Sequence, residues 1–153
     1  MSIEEALQDL QKSLNSDILQ LQSYSLDEIN SNTLKASSKA LREKMNLLAG
    51  GQRAAASSDV QDVARDTLDI ANDMDRLAAI LTVIATREPK VTLAQIVSYD
   101  KALEEVQKRQ SGIVEKMQRL STRIIEVLKV YKRARQATSY TRRSEVKARL
   151  DVI

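Results

Sequence analysis

Histidine and cysteine are both absent from this 153-residue chain. Without cysteine there are no disulfides and no thiolate metal ligands. Without histidine there is no His-based triad, no imidazole ligand and none of the commonest acid–base group. Carboxylate and lysine chemistry survive these absences but need a pocket, so an enzyme is the least favoured class. No metal, cofactor or small-molecule substrate is expected. Phe and Trp are missing as well, leaving four Tyr as the aromatics. Three Gly and one Pro are too few to punctuate a many-stranded sheet. The longest near-apolar run, Leu77 to Ala85, is far short of the ~20 residues of a membrane span. Met1-Ser2-Ile3-Glu4-Glu5 opens as an acidic helix and not as a basic, apolar leader. A soluble, intracellular protein is expected, cytoplasmic or nuclear.

What remains is aliphatic and charged. Hydrophobic residues make up 42% and charged residues 29%, which places the chain among folded helical proteins and not disordered ones. Charge is unevenly spread. Residues 1–90 hold ten Lys or Arg against fourteen acids; residues 91–153 hold fourteen Lys or Arg against seven. The first part therefore carries −4 and the second +7, an asymmetry that bears on partners.

Apolar periodicity predicts helices over about 3–24, 27–48, 58–87 and 92–138. The first carries Ile3, Leu7, Leu10, Leu14, Ile18 and Leu21 on one face. Ser25-Leu26-Asp27-Glu28 has the capping-box form that restarts a helix, and Gly50-Gly51 ends the second. Ser58-Asp59-Val60-Gln61 opens the third, Pro89 closes that region, and Thr92 is a plausible N-cap for the fourth. Residues 1–138 are expected to form the bundle, with 139–153 a basic tail or short terminal helix.

The third and fourth helices follow heptads. Val60, Thr67, Met74 and Leu81 fall at a; Val63, Ile70, Leu77 and Ile84 fall at d. In the fourth, Ile96, Leu103, Gln110, Met117, Ile124 and Tyr131 fall at a, with Tyr99, Val106, Ile113, Leu120, Val127 and Ala134 at d. Asp59, Asp66 and Asp73 occupy successive g positions of the third helix; Arg109, Lys116 and Arg123 occupy those of the fourth. In an antiparallel hairpin g faces g, and the pairs Asp73–Arg109, Asp66–Lys116 and Asp59–Arg123 are all centred on residue 91, beside Pro89. Five carboxylates strung along one helix (with Asp62 and Asp69) do not converge on a point, so a solvated, paired face is favoured over a metal site. Ala64, Ala71, Ala78 and Ala85 fill every e position of the third helix, leaving a shallow groove for the first or second helix. The expected fold is an all-α antiparallel bundle of three to four helices, with coiled-coil packing and one long C-terminal helix.

Two surfaces stand out as functional candidates. The fourth helix outruns the third by roughly three turns, where Ile124, Val127, Leu128 and Tyr131 need a cover. The Ala54–Ala56 loop, the first helix or the folded-back tail would serve, as would a partner chain in a self-dimer or hetero-complex. Residues 129–149 are strongly basic, with Lys132, Arg133, Arg135, Arg142 and Arg143 prominent, and suit nucleic acid or another acidic surface as well as a solvated helix end. Arg133-Ala134-Arg135-Gln136-Ala137-Thr138 has the spacing of a basophilic kinase site, a pattern short enough to recur by chance. The function expected is a non-enzymatic structural subunit that docks partner helices in an assembly. The alternative is a nucleic-acid or anionic-membrane binder acting through 129–149.

Overall fold

The structure, a computed structural model, describes the backbone of residues 2–23, 31–49, 58–85 and 93–152, and their side chains apart from those of 23, 49, 85, 93–96 and 138–152. Four helices result: α1 (Ile3–Ser23), α2 (Ser31–Ala49), α3 (Ser58–Ala85) and α4 (Leu93–Val152). They form a bundle in which α1 packs on α2 and α4, and α3 on α2 and α4. Residues 27–30, 86–87 and 92, expected at helix ends, lie outside the described residues.

The start of α1 shows how locally these helices are specified. Ser2 Oγ accepts a hydrogen bond from the Glu5 amide at 3.1 Å, satisfying one of the orphan N–H groups of the first turn. Glu4 and Glu5 then set negative charge against the positive end of the helix dipole. From there Leu7, Leu10, Leu14, Ile18 and Leu21 are all buried, at spacings of three and four residues. Each such side chain contributes about 1.5–3 kcal/mol on full burial.

The groove predicted along the alanine column of α3 is filled by α2. Ala64, Ala71 and Ala78 are buried, and Ser38 donates its hydroxyl to the Ala71 carbonyl at 3.2 Å. A larger side chain at either position would hold the two backbones too far apart for that bond. Arg42 flanks the contact, reaching Asn72 at 2.8 Å and Asp75 at 2.5 Å.

α4 is the central strut. Val106, Ile113, Met117, Leu120, Ile124 and Val127 are buried at the a and d positions, and Val114 and Ser121 are buried at e. A stripe three positions wide is what a helix with two neighbours requires. The polar members of the core are satisfied: Thr67 donates to the Val63 carbonyl at 2.7 Å, and Ser121 donates to Asn15 Oδ1 at 3.0 Å. Half-buried Gln110 donates to the Leu21 carbonyl, one of the acceptors that the last turn of α1 leaves without a helical partner.

α4 lies antiparallel to both neighbours. Leu21, Asn15 and Glu4 of α1 meet Gln110, Ser121 and Arg135 in turn. Along α3 the expected ion-pair ladder exists, but displaced. Lys116 bridges Asp73 at 2.6 Å and Asp69 at 2.9 Å, and Arg123 reaches Asp66 at 3.1 Å and Asp62 at 3.3 Å. Lys116 thus takes the aspartate assigned to Arg109, and Arg123 the one assigned to Lys116. Arg109 turns to Glu105 of its own helix at 2.9 Å, and Asp59 is exposed. The sliding is one heptad. Aspartates seven residues apart facing cations seven residues apart make pairs in either alignment. An exposed pair contributes at most about 1 kcal/mol, less than one buried aliphatic side chain, so the apolar layers choose between them.

The second correction concerns length. α4 does not stop near residue 138 before a separate terminal segment; it continues as one helix of 60 residues to Val152, about 90 Å.

The register makes a direct prediction. Lys116→Glu and Arg123→Glu together should lower stability by about 1–2 kcal/mol, and adding Asp73→Lys and Asp66→Lys should recover part of it. Asp59→Lys should recover nothing, and Arg109→Glu should cost about 0.5 kcal/mol through its Glu105 pair, a loss that Asp73→Lys does not recover. Urea denaturation of the set measures this; rescue through Asp59 would restore the alignment centred on residue 91.

Candidate interaction surface

The residues singled out from sequence lie on α4 between 124 and 143, and the structure divides them. Ile124 is fully buried and Val127 is 7% exposed. Both belong to this chain's own core, where α1 and α3 pack on α4, and are not open to a partner. The reason is the reach of both neighbours: α3 begins eight residues before Asp66, the partner of Arg123, and so runs past Val127, while Arg135 meets Glu4 of α1 at 3.3 Å. Leu128 and Tyr131 are half-buried against the margin of that core, while Ile125 and Val130 are 40% and 58% exposed. An apolar edge therefore survives, one residue away from where the heptad places it.

The basic candidates lie just beyond. Lys129, Lys132, Arg133 and Arg135 are exposed. Arg135 is tied to Glu4, whereas among the described residues Lys129, Lys132 and Arg133 form no ion pair. Arg142 and Arg143 lie on the continuous helix, but their side chains are outside the described residues, as is that of Thr138. Seventeen residues of α4 follow Arg135, roughly 25 Å of helix. α1 begins at Ile3, beside Arg135, so it does not accompany them.

Along the α3–α4 face cations and carboxylates neutralise one another. A shallow groove of about 300 Å³ between α3 and α4 is lined by Asp66, Asp69, Lys116, Arg119 and Arg123 over Ile70 and Leu120. The hydrogen bonds that Lys116 donates to Asp73 and then Asp69 push its ammonium up, holding it charged and not free as a nucleophile. Arg119 is engaged by Glu115 within α4. No group of three or more metal-ligating side chains occurs among the described residues. No helix among them is long and apolar enough to cross a membrane.

One polar group escaped the sequence reading. Asp17 stands between Leu14 and Leu21 at spacings of three and four, so it falls on the apolar stripe of α1. Burial pushes its carboxyl up to about 6, against the opposing pull of a hydrogen bond from Ser37 and the charge of Lys44. Lys44 itself is held by Asp9 at 2.6 Å. The sequence signal was the spacing: a carboxylate one turn from leucines on either side.

With the geometry established, comparison with known proteins adds no relative: no family model, no curated protein and no solved structure matches the chain.

Asp17 yields a pH prediction. The folded state holds its proton more tightly than the unfolded chain, whose carboxyl titrates near 3.8. Stability from this group therefore falls as pH rises from about 4 to about 6 and stays low above. Asp17→Asn should stabilise the fold at neutral pH by about 1–2 kcal/mol after allowance for partial solvation. Near pH 3.5 the gain should vanish. Paired urea melts at the two pH values measure it; an equal effect at both would mean that the carboxyl is not held protonated by burial.

Proposed function

We propose that the chain is a non-enzymatic interaction subunit, a helical bundle that presents α4 to partner chains in a larger assembly. One observation carries this reading: α4 outlasts every described helix packed on it. A bundle that only needed to bury its own core would have no use for another seventeen residues of helix. The edge where α4 leaves the bundle supports the same reading. Ile125 and Val130 are exposed there beside half-buried Leu128 and Tyr131, a strip that a partner helix would cover at a gain of about 1.5–3 kcal/mol per fully buried side chain. The non-enzymatic part rests on composition, since a chain without His or Cys has few means of acid–base or nucleophilic chemistry.

A second reading, binding of nucleic acid or an anionic membrane through 129–149, is favoured by Lys129, Lys132 and Arg133, which are exposed and form no ion pair among the described residues.

The test is a photo-crosslinking residue placed at Ile125 in the full chain within its native source, with Leu19, exposed near the far end of the bundle, as control. A covalent product containing a second protein chain at Ile125 and not at Leu19 is expected; excess unlabelled chain added before irradiation should suppress its formation, and the same chain carrying Ile125→Lys should not. A chain that is monomeric by light scattering and yields no product at Ile125 or Val130 would overturn the reading.

A further inference from the structure

We propose that Thr138 is a phosphorylation site, the acceptor for a protein kinase that reads arginine three and five residues before it. The proposal goes beyond the interaction-subunit reading and does not depend on it. Arg135 and Arg133 stand at those two distances, and no other Ser or Thr of the chain has arginine at both. The place of this pattern along α4 sets it apart from a chance match. Residues 132–137 are all exposed. At about 100° per residue, six in succession go more than once round the helix. α4 has therefore left the bundle on every side before it reaches position 138, which follows directly in the same helix.

A kinase receives its substrate as an opened segment laid across its cleft, so a helical acceptor must first unwind locally. Around position 138 that costs only the backbone hydrogen bonds and intrinsic preference of an unpacked helix, which is marginal for a short stretch. Two positions inside the bundle make the contrast. Thr122 is exposed and has Arg119 three residues before it, but its neighbours Ser121 and Ile124 are buried. Ser111 is exposed and follows Lys108 and Arg109, but Ile113 and Val114 beside it are buried. Unwinding either stretch would bring core side chains into water, a cost that grows with the apolar area exposed. A basic approach is common to all three sites. Release from packing is particular to one.

Phosphoryl transfer joins the Thr138 hydroxyl oxygen to the γ-phosphorus of a nucleoside triphosphate. The bond from that phosphorus to the β–γ bridging oxygen breaks, the nucleoside diphosphate leaves, and the hydroxyl proton passes to the kinase's base. The product carries a charge of about −1.5 to −2 and three strong acceptor oxygens. Arg135 precedes it by three residues and Arg142 follows it by four, the spacings of neighbouring positions on a helix. In the unmodified chain Arg135 meets Glu4 at 3.3 Å and keeps 65% of its side chain exposed. The phosphate, with the larger charge, competes with Glu4 for that guanidinium and loosens the first turn of α1 from α4. From Lys129 to Arg149 eight cations and one acid give a net +7. Phosphorylation lowers this to roughly +5.

The experiment treats the full chain with magnesium ATP and the catalytic domain of a kinase of that specificity, and maps the sites by mass spectrometry. Phosphate is expected on Thr138 and not on Thr122 or Ser111. Arg133→Ala and Arg135→Ala should each lower the rate at Thr138 by at least about tenfold, the value of one charge-assisted arginine contact. The urea melt of the bundle should not move. Glu4→Gln frees Arg135 and should raise the rate by up to about fivefold, the limit set by an exposed ion pair. Chain purified from its native source with phosphatases inhibited should carry the same phosphate. The proposal is overturned by any of four results: no labelling of Thr138, equal or faster labelling of Thr122 or Ser111, a rate at Thr138 unaffected by removing both arginines, or a native chain without phosphate there. An unchanged rate in Glu4→Gln would overturn the competition for Arg135. None of these outcomes bears on the Ile125 cross-link.

Discussion

Burial of one stripe of α4 between α1 and α3 is the interaction on which the rest of the structure depends. Val106, Ile113, Met117, Leu120, Ile124 and Val127 carry it, joined on the α1 side by Val114 and Ser121. Because the stripe is wide enough for two neighbours, it fixes α1 and α3 around α4. α2 then closes the bundle by settling into the alanine column on α3. The polar contacts refine this arrangement and do not create it. Gln110 locates the end of α1 against α4, Ser121 and Asn15 fix its rotation, and the Lys116 and Arg123 bridges line the opposite side.

That ranking explains what could be read from the residues alone and what could not. Each a and d residue of α4 from Val106 to Val127 apart from Gln110 is buried, as expected, because apolar periodicity is a direct record of what a helix face touches. The opposition of aspartate to cation across α3 and α4 was legible for the same reason. Its alignment was not, since Asp59, Asp66 and Asp73 repeat with the same interval as Arg109, Lys116 and Arg123. A repeating charge pattern specifies direction and facing edges but is silent about whole-heptad sliding. What breaks the tie is the fit of the apolar layers once all four helices are packed, which neither charge column records.

The candidate site shows a similar division. The mismatch in length between α3 and α4 pointed to a boundary near Ile124 to Tyr131, but only in the alignment centred on residue 91. The one-heptad slide carries α3 past Val127, and Glu4 meeting Arg135 carries α1 as far, which draws Ile124 and Val127 into the core and leaves Ile125 and Val130 outside. No single-helix pattern encodes either reach. Asp17 was equally hidden: its position on the leucine stripe of α1 was plain, but its desolvation depends on α2 bringing Ser37 and Lys44 alongside.

The continuation of α4 past residue 138 is the most instructive departure, because two different physical sources of helicity meet there. Inside the bundle the helix is held by packing, and a reader of apolar spacing sees it. Beyond Arg135 the seam positions become Thr138, Thr141 and Glu145, and that signal disappears. What remains is intrinsic preference: Arg, Lys, Ala, Gln and Glu are good helix formers. The seventeen residues after Arg135, about half of them of these types, would be only marginally helical in isolation, since the first turn fixes several residues for one hydrogen bond. α4 does not incur that nucleation cost there, because the packed part of the helix already supplies the preceding turns. The bundle thus acts as a nucleus, and the extension propagates from it without needing a seam of its own.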